Sequence, residues 1–304
     1  MGSGAEAQTR PGPDVALDAR WELVRSLGAA VITAPHASAP LFDALGLPTP
    51  SGAQHTEVFV LSAPPHAAIH LGAEGKLGGE GLDRVAGFWR ALGLRAPEDA
   101  DHLGVLLMLY AELAQAESTA ADERRSAQMR RARAALFHEH IWSWAPGYLA
   151  AVDSLGVPSV SAWAQVTAQL LREEHDELDP PALLPLALRA APRCLEPSDS
   201  FDDVLDSLTA PIRSGAVLTP RDLALGAGRA GVGLRRGERR YALRAMLEQD
   251  ATGTLEWLAA HARSCAELHA AGSTRAGDTC DWWARRARGT ADVLSSMCTR
   301  EPVH

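Results

Sequence analysis

The segment PEDADHLGVLLMLY, residues 97–110, joins an acidic cluster to an apolar stretch. Its apolar positions follow the spacing i, i+3, i+4, i+7, which places them on one face of an α-helix. They are Leu103, Leu106, Leu107 and Tyr110. The pattern predicts a helix that begins directly after His102.

Helical spacing recurs along most of the chain and predicts an all-α fold. Apolar residues share one helical face near Trp21, from Leu82 to Trp89 and from Trp163 to Leu170. Further helices are predicted over residues 121–140, 220–225, 237–249, 254–270 and 280–297. The longest strand-like stretch, Thr56–Leu61, is short and has no evident partner. The region around it, Gly46–Gly81, is rich in Gly and Pro and is expected to be a long surface loop.

The composition is that of a protein of the cytoplasm. No apolar run reaches the roughly 18 residues that would span a bilayer, and the N-terminus lacks the pattern of a signal peptide. The four cysteines have neither the paired spacing of a zinc site nor the density of a disulfide scaffold. They are Cys194, Cys265, Cys280 and Cys298. We therefore expect reduced thiols, a cytoplasmic location and no membrane insertion.

Charge is unevenly distributed between two parts of the chain. Residues 1–210 contain 15 basic and 28 acidic side chains, whereas residues 211–304 contain 14 basic and 10 acidic ones. An acidic body attracts cationic partners and repels nucleic acid. We expect a disordered N-terminus over residues 1–14, a helical domain over residues 15–210 and a C-terminal helical extension over residues 211–304.

A second distinctive element, LFHEHIWSWAP, covers residues 136–146. Trp142 and Trp144 are two residues apart, so a regular helix would not direct both into one core. We expect one of them to pack inside and the other to be partly exposed. Pro146 is expected to mark a helix stop or a hinge.

The acidic cluster at residues 98–102 has two interpretations. Glu98, Asp99 or Asp101 alone is explained by capping of a helix N-terminus, where carboxylates accept hydrogen bonds from free N–H groups. Three carboxylates with His102 beside an apolar face also suit the recognition of two arginines by charge-assisted hydrogen bonds. For Asp101 and His102 together we favour recognition.

These elements together resemble the TorD/DmsD/NarJ family of redox-enzyme maturation chaperones. The resemblance rests on the acidic-Asp-His element that opens an apolar helix, and on the Phe-x-x-His-x-x-x-Trp-x-Pro element that follows. The second element consists here of Phe137, His140, Trp144 and Pro146. The stretches Leu77–Glu80 and Asp83–Trp89 also resemble family sequences, and the likeness covers residues 15–210. This chain departs from the family in that Pro97 precedes Glu98, where members often have Pro between the Glu and the Asp-His pair.

The resemblance implies a TorD-like helical bundle with an additional C-terminal helical section, and a cytoplasmic chaperone without catalysis or cofactor of its own. Its implied partner is a molybdopterin-containing oxidoreductase subunit and its twin-arginine signal peptide, bound before export or assembly. No nucleic acid is expected, and either a monomer or a domain-swapped dimer fits. The candidate client-binding residues are Glu98, Asp99, Asp101, His102, Leu106, Tyr110, His140, Trp142, Trp144 and Pro146.

Two other functions fit parts of the sequence. A helical metal-dependent hydrolase would use Asp101, His102, His138 and His140, whose side chains suit a divalent metal. A helix-turn-helix-like nucleic-acid module over residues 211–304 is the other. A basic helix edge in this part suits a solvated face, docking on the acidic body, or binding of an acidic part of the client; it consists of Arg235, Arg236, Arg239, Arg240 and Arg244. The pattern of His261, Cys265 and His269 on one helix suggests ordinary packing, since no fourth metal ligand has a defined spacing.

Overall fold

The computed structural model describes residues 13–273 and 277–299 of the chain, with side chains from residue 19 onward. All regular structure over these residues is helical, which confirms the predicted all-α fold. The expected disordered segment 1–14 falls almost wholly outside the described residues. No helix within the described ranges is both long and apolar enough to cross a membrane.

Sixteen α-helices and two π-helical segments follow one another along the described chain. The first half comprises α1 Pro13–Ile32, α2 Pro35–Ala44, α3 Gly52–Thr56, π1 Glu57–Ser62, α4 Ala67–Leu71, α5 Gly79–Ala91, α6 Leu103–Ser118, α7 Glu123–Ala135 and π2 Leu136–Ile141. The second half comprises α8 Ala145–Ser154, α9 Pro158–Glu177, α10 Leu186–Arg189, α11 Phe201–Thr209, α12 Pro211–Ser214, α13 Pro220–Ala230, α14 Arg239–Gln249, α15 Ala251–Ala271 and α16 Thr279–Cys298.

The region Gly46–Gly81 is not the long surface loop that its Gly and Pro content suggests. It contains α3, π1 and α4, and all five residues of α4 are buried. The strand-like apolar residues belong to π1, where the Ala63 amide donates to the Val58 carbonyl at 2.8 Å, five residues back. Packing decides the conformation here, because the turn buries Val58 and Phe59 in the core.

Helices α1 and α6 pack closely because two glycines face each other at their contact. A Cβ atom at Gly28 would lie 2.6 Å from the carbonyl oxygen of Gly104, and one at Gly104 would meet the carbonyl of Gly28. Only glycine leaves room for backbones at this separation. The contact brings the C-terminal end of α1, at Ile32, beside the start of α6.

A buried ionic network joins α1, α6, α7 and α9. Glu174 is fully buried, with Arg20 Nε 2.6 Å from its Oε1 and Arg133 Nη1 3.3 Å from its Oε2. The hydroxyl of Tyr110 donates a hydrogen bond to the same carboxylate and accepts one from Arg133 at 2.7 Å. These polar partners offset only part of the desolvation, since burial still raises the pKa of Glu174 above its usual value.

Two hydrophobic clusters form the core. The first is built mainly from α1–α9, and the second from α11, α13, α14 and α15 together with Leu294 of α16. Cys280 and Trp283 on α16 join the first cluster, whereas Leu205 on α11 joins the second. The boundary between residues 210 and 211 therefore does not coincide with the division between the clusters, and the proposed domains stay a prediction.

Hydrogen bonds and ion pairs join the C-terminal helices to the rest of the chain. Trp283 Nε1 donates to the carbonyl of Ser143 at 2.8 Å. The basic edge of α14 meets the acidic helix α11, where Arg240 lies 2.7 Å from Asp202 and 2.6 Å from Asp206. Arg244 also pairs with Asp202. Part of the basic edge is thus neutralised within the chain.

We expect Glu174→Ala to destabilise the protein by about 3 kcal/mol, since it leaves Arg20 and Arg133 partly uncompensated in the interior. Glu177→Ala is the matched control on the same helix. Glu177 also pairs with Arg20, at 2.5 Å, but its side chain is 57% exposed, and its loss should cost less than about 1 kcal/mol. Urea unfolding measures both, and equal losses would contradict the prediction.

Candidate functional site

Helix α6 begins at Leu103, as predicted from the sequence, but its cap is a histidine. The amide of Gly104 donates to Nδ1 of His102 at 3.0 Å. Asp101 does not cap this helix, so the capping interpretation is wrong for that residue at α6. The imidazole accepts the hydrogen bond that a carboxylate was expected to accept.

The carboxylate of Asp101 faces α4 instead. Its Oδ2 accepts from the amide of Ala68 at 2.9 Å, and its Oδ1 lies 3.2 Å from Nδ1 of His66. Burial opposes ionisation of Asp101, but the hydrogen bonds from His66 and from Ala68 outweigh it and lower the pKa of the carboxyl group. Asp101 is 2% exposed, and it joins the start of α4 to the start of α6.

The backbone strengthens this junction. The amide of Ala67 donates to the carbonyl of Asp101 at 3.0 Å, and the amide of Leu103 donates to the carbonyl of Pro65 at 2.7 Å. These bonds form a short antiparallel bridge between His66 and His102, whose ring centroids lie 5.0 Å apart at right angles. The two histidines are therefore held side by side.

His102 is neutral at physiological pH. Burial lowers its pKa to about 4, and neighbouring His66 adds to the effect, whereas Asp99 and Asp101 oppose it. Because Nδ1 accepts from Gly104, the neutral ring carries its hydrogen on Nε2. The ring can therefore offer one N–H donor to another group.

His66 and His102 line an open groove of about 340 Å³, here named the histidine groove. Its remaining walls are residues 31–35, the residues His55, Thr56, Phe59 and Val60 of α3 and π1, and Pro64 and Leu77. Ile32, Val60 and Leu77 are 42%, 58% and 61% exposed. Large apolar side chains exposed together mark a surface suited to binding another chain.

Acidic side chains directly precede His102 of the histidine groove, and the charge of Asp99 acts on the His102 ring. Glu98 and Asp99 are together called the acidic end. Glu98 and Asp99 are exposed in the turn that leads into His102, and the backbone carbonyl of Asp99 accepts from the amide of His102 at 3.0 Å. These two carboxylates face solvent, unlike that of Asp101. Of the predicted acidic cluster, they are the members available to a cationic partner.

The second predicted element, residues 136–146, is mostly buried. The amide of Trp142 donates to the carbonyl of Phe137, five residues back, at 2.7 Å, which ends π2. Trp142 and Trp144 are 4% and 2% exposed, so the expectation that one of them would be partly exposed is wrong. The chain leaves the helix between them, and Trp144 has an extended φ of −147° before α8 begins.

Aromatic contacts fix both tryptophans. Trp144 stacks on His70 of α4 with centroids 4.9 Å apart, and its Nε1 donates to the carbonyl of His140 at 2.7 Å. Trp142 stacks on His175 of α9 at 4.4 Å. Helix α4 thus touches the acidic element through Asp101 and the aromatic element through His70.

His140 is also an interior residue. Its ring lies 5.0 Å from that of Phe88 on α5. Burial lowers the pKa of His140 to about 4, and the charge of Arg84 adds to the effect. The imidazole is neutral and packs as an aromatic ring.

A second groove, of about 700 Å³, contains the partly accessible end of the aromatic element. It lies between α8, α9 and α15, and its walls include Trp142, Pro146 and Leu149. None of these residues lines the histidine groove. Of the predicted client-binding residues, His102 therefore lines the histidine groove, whereas Trp142 and Pro146 line this second groove.

The ten predicted residues have three kinds of environment. Glu98 and Asp99 are exposed, and His102 and Pro146 are half-buried. The others are buried, and Leu106 and Tyr110 are core residues at 0% and 1% exposure. The buried members are Asp101, Leu106, Tyr110, His140, Trp142 and Trp144. Their role in client binding stays a prediction.

The two parts of the alternative hydrolase site have separate surroundings, since Asp101 and His102 share His66 whereas His138 and His140 have other partners. Asp101 contacts His66, His138 Nε2 lies 3.2 Å from the carbonyl oxygen of Asp179, and His140 packs on Phe88. Over residues 13–273 and 277–299, no three or more His, Cys, Asp or Glu side chains are grouped so that they could hold a metal ion.

Sequence reasoning missed His55, His66 and the apolar residues of the histidine groove. The signal was the accumulation of His55, His66 and His70 in a stretch interpreted as loop, although the whole chain has 11 histidines. No feature of the sequence marked Ile32 as a groove residue, because its exposure depends on where α1 ends against α6.

Comparison with known families links this region to one of them. Residues 51–150 match the family described as nitrate reductase delta subunit. The match covers 100 of the 304 residues and contains both the acidic element and the aromatic element. It agrees with the NarJ/TorD type of chaperone that the sequence resembles. No curated protein matches the chain.

We expect Asp101→Asn to lower the stability by about 1–2 kcal/mol at pH 7 through its hydrogen bonds with His66 and Ala68. Because folding lowers the pKa of Asp101, this contribution is complete above the unfolded value, about 3.9, and is lost as the pH falls through the folded value. The difference from the parent protein should therefore shrink below about pH 4.

Urea unfolding between pH 3 and pH 7 measures this effect. Asp99→Asn is the control, since Asp99 is exposed, and it should change the stability by less than about 0.5 kcal/mol. A loss for Asp101→Asn that stays constant over the whole pH range would contradict the assignment.

Proposed function

We propose that this protein is a chaperone in the maturation of a molybdenum-cofactor oxidoreductase, and that it binds a segment of its client in the histidine groove. The observation that carries the proposal is the match of residues 51–150 to the nitrate reductase delta subunit family. That segment supplies His55, Val60, His66, Leu77 and His102 of the groove. The proposed role requires no catalysis by this chain.

The chemistry of the groove suits a peptide that carries arginines followed by apolar residues. A twin-arginine signal peptide has this composition. The apolar part would cover the exposed side chains Ile32, Val60 and Leu77, as in other helix-in-groove complexes. The arginines would meet Glu98 and Asp99 at the acidic end.

His102 adds a directional contact to this proposed complex. The neutral ring carries its hydrogen on Nε2, so it donates to a peptide carbonyl and does not repel a cationic peptide. A protonated imidazole would also donate from Nε2, but it would repel a cationic peptide and could no longer accept the hydrogen bond from Gly104. Asp101, enclosed by the chain's own groups, would support the site by holding α4 and α6 together.

The affinity expected of this surface is moderate, which suits a client that must be released. A micromolar dissociation constant corresponds to about 8 kcal/mol. Burial of one large apolar side chain contributes about 1.5–3 kcal/mol, and solvent-exposed charge pairs contribute less than about 1 kcal/mol each. Because association itself costs several kcal/mol, contacts of this number and strength give an affinity no tighter than micromolar. We further propose that the complex forms in the cytoplasm before the client is exported or assembled.

We expect Leu77→Ser to weaken binding of a twin-arginine signal peptide by about tenfold, through loss of apolar burial. Leu183→Ser is the matched control, because Leu183 is 65% exposed and lies outside the histidine groove. Calorimetric titration of each variant with the same peptide measures the effect. Equal affinities for the two variants would show that the peptide does not occupy this groove.

The double substitution Glu98→Gln, Asp99→Asn tests the acidic end. It should weaken the peptide complex several-fold at low ionic strength, and the difference should diminish in about 0.5 M salt because exposed charges are screened. A peptide with both arginines replaced by glutamine should show no such difference. Binding that is insensitive to the double substitution and to salt would exclude Glu98 and Asp99 as recognition groups.

A further inference from the structure

A further open cavity, also of about 700 Å³, is distinct from the groove between α8, α9 and α15. It shares Pro64, and no other lining residue, with the histidine groove. We name it the guanidinium cavity, after Arg213 and Arg239 in its wall. Its other walls are Leu61, Ser62, Pro64 and Ile69, residues 73–76, Asp206 and Thr209 of α11, Pro220, and residues 237–240 at the start of α14. Neither the proposed client binding nor the family match accounts for it.

Arg239 is the first residue of α14, and it turns into this cavity instead of outward. Its Nη1 donates to the carbonyl of Leu218 at 3.1 Å and its Nη2 to the carbonyl of Gly75 at 3.5 Å. No carboxylate of the described residues lies within ion-pair distance of it. Burial lowers the pKa of Arg239, and no neighbouring anion opposes the effect.

Arg213, on α12, has the same kind of environment. Its Nε donates to the carbonyl of Ala73 at 2.8 Å, and among the described residues no ion pair involves it. Its neighbour in the wall, Arg240, differs because it is paired with Asp202 and Asp206. Asp199 is close enough for its charge to interact with Arg213, but its carboxylate is bound by Arg193 at 2.5 Å. Two half-buried guanidinium groups that are hydrogen-bonded only to carbonyls can therefore bind a further anion.

The backbone at the start of α14 adds to this positive character. The N-cap residue is Glu238, and no side chain accepts a hydrogen bond from the first turn of the helix. Free N–H groups at the start of an 11-residue helix carry a partial positive charge and bind anions. Lys76 adds a further cation at the rim.

The acidic residues in the wall do not neutralise this interior. Asp206 is already bound to Arg240. Glu74 and Glu238 are exposed, whereas Arg213 and Arg239 are half-buried. The positive charge is therefore inside the cavity, and the free carboxylates are at its solvent side.

We infer that the guanidinium cavity binds a small phosphorylated organic molecule, with its phosphate between Arg213, Arg239 and the first turn of α14. A doubly charged phosphate accepts from two guanidinium groups and from backbone N–H groups at once, whereas one guanidinium satisfies a single carboxylate. The cavity volume is that of a site for a whole small molecule. Leu61, Pro64 and Ile69 provide an apolar wall for the organic part.

The test uses the full-length protein and three probes in calorimetric titration at low salt: inorganic pyrophosphate, a nucleoside diphosphate and the corresponding nucleoside. We expect pyrophosphate to bind with a dissociation constant below about 1 mM, the nucleoside diphosphate to bind at least as tightly, and the nucleoside not to bind. Binding of the nucleoside as tight as that of its diphosphate, or no binding of either phosphate compound, would overturn the inference.

Arg239→Gln should weaken pyrophosphate binding by about tenfold or more. Arg236→Gln is the matched control, because Arg236 is exposed, is close in sequence and does not line the cavity. An equal loss in both variants would show non-specific attraction and overturn the inference. If Arg239→Gln does not fold, Arg213→Lys gives a second measurement. This variant keeps the positive charge but loses the paired N–H donors of the guanidinium group, so it should weaken pyrophosphate binding. Unchanged binding would overturn the inference. Client-peptide titrations are independent of these outcomes, so the two proposals can fail separately.

Discussion

The buried carboxylate of Asp101 is the interaction on which this part of the molecule depends. It holds the first turn of α4 and the ring of His66, while its own backbone extends into α6. A short helix of five residues has too few internal hydrogen bonds to be stable alone, and it persists because its N-terminus and its side chains have tertiary partners. Through α4, one anion fixes the position of His102 on one side and of Trp144 on the other.

The placement of polar groups explains why the candidate surfaces differ in character. The first 210 residues have a large excess of acidic side chains, yet the histidine groove exposes the apolar side chains of Ile32, Val60 and Leu77, and the exposed carboxylates of Glu98 and Asp99 precede His102 in its wall. Among the cations of the C-terminal helices, Arg240 and Arg244 pair with the acidic helix α11, whereas Arg213 and Arg239 line the guanidinium cavity. The acidic part of the chain thus presents an apolar groove, and the C-terminal part contributes the cations of a separate cavity.

Much of the helical architecture follows from apolar periodicity, and the start of α6 at Leu103 was predictable for that reason. The region of α3, π1 and α4 was not, because its helices are short and Gly and Pro are frequent there, so packing outweighs local propensity. The site was predictable in part. Glu98, Asp99 and His102 were identified by an unusual local composition, whereas Ile32 and Leu77 come together only through the contact of α1 with α6 and the course of the chain after α4. The inward direction of Asp101 was equally inaccessible, since one of its partners is the backbone amide of Ala68 and the other, His66, lies in the stretch that was expected to be a surface loop.

The two π-helical segments have a consequence for how this chain tolerates changes in length. A π-helical turn can be regarded as an α-helical turn with one residue inserted, and the surplus is kept where it serves a structural or functional purpose. The wide turn of Leu136–Ile141 takes up the surplus residue locally, so the residues after it keep the direction that a regular helix would give them. A one-residue deletion in this segment would therefore let Trp144 and α8 keep their places. The same deletion in the regular helix α7 would rotate all that follows by about 100° and would be far less tolerable.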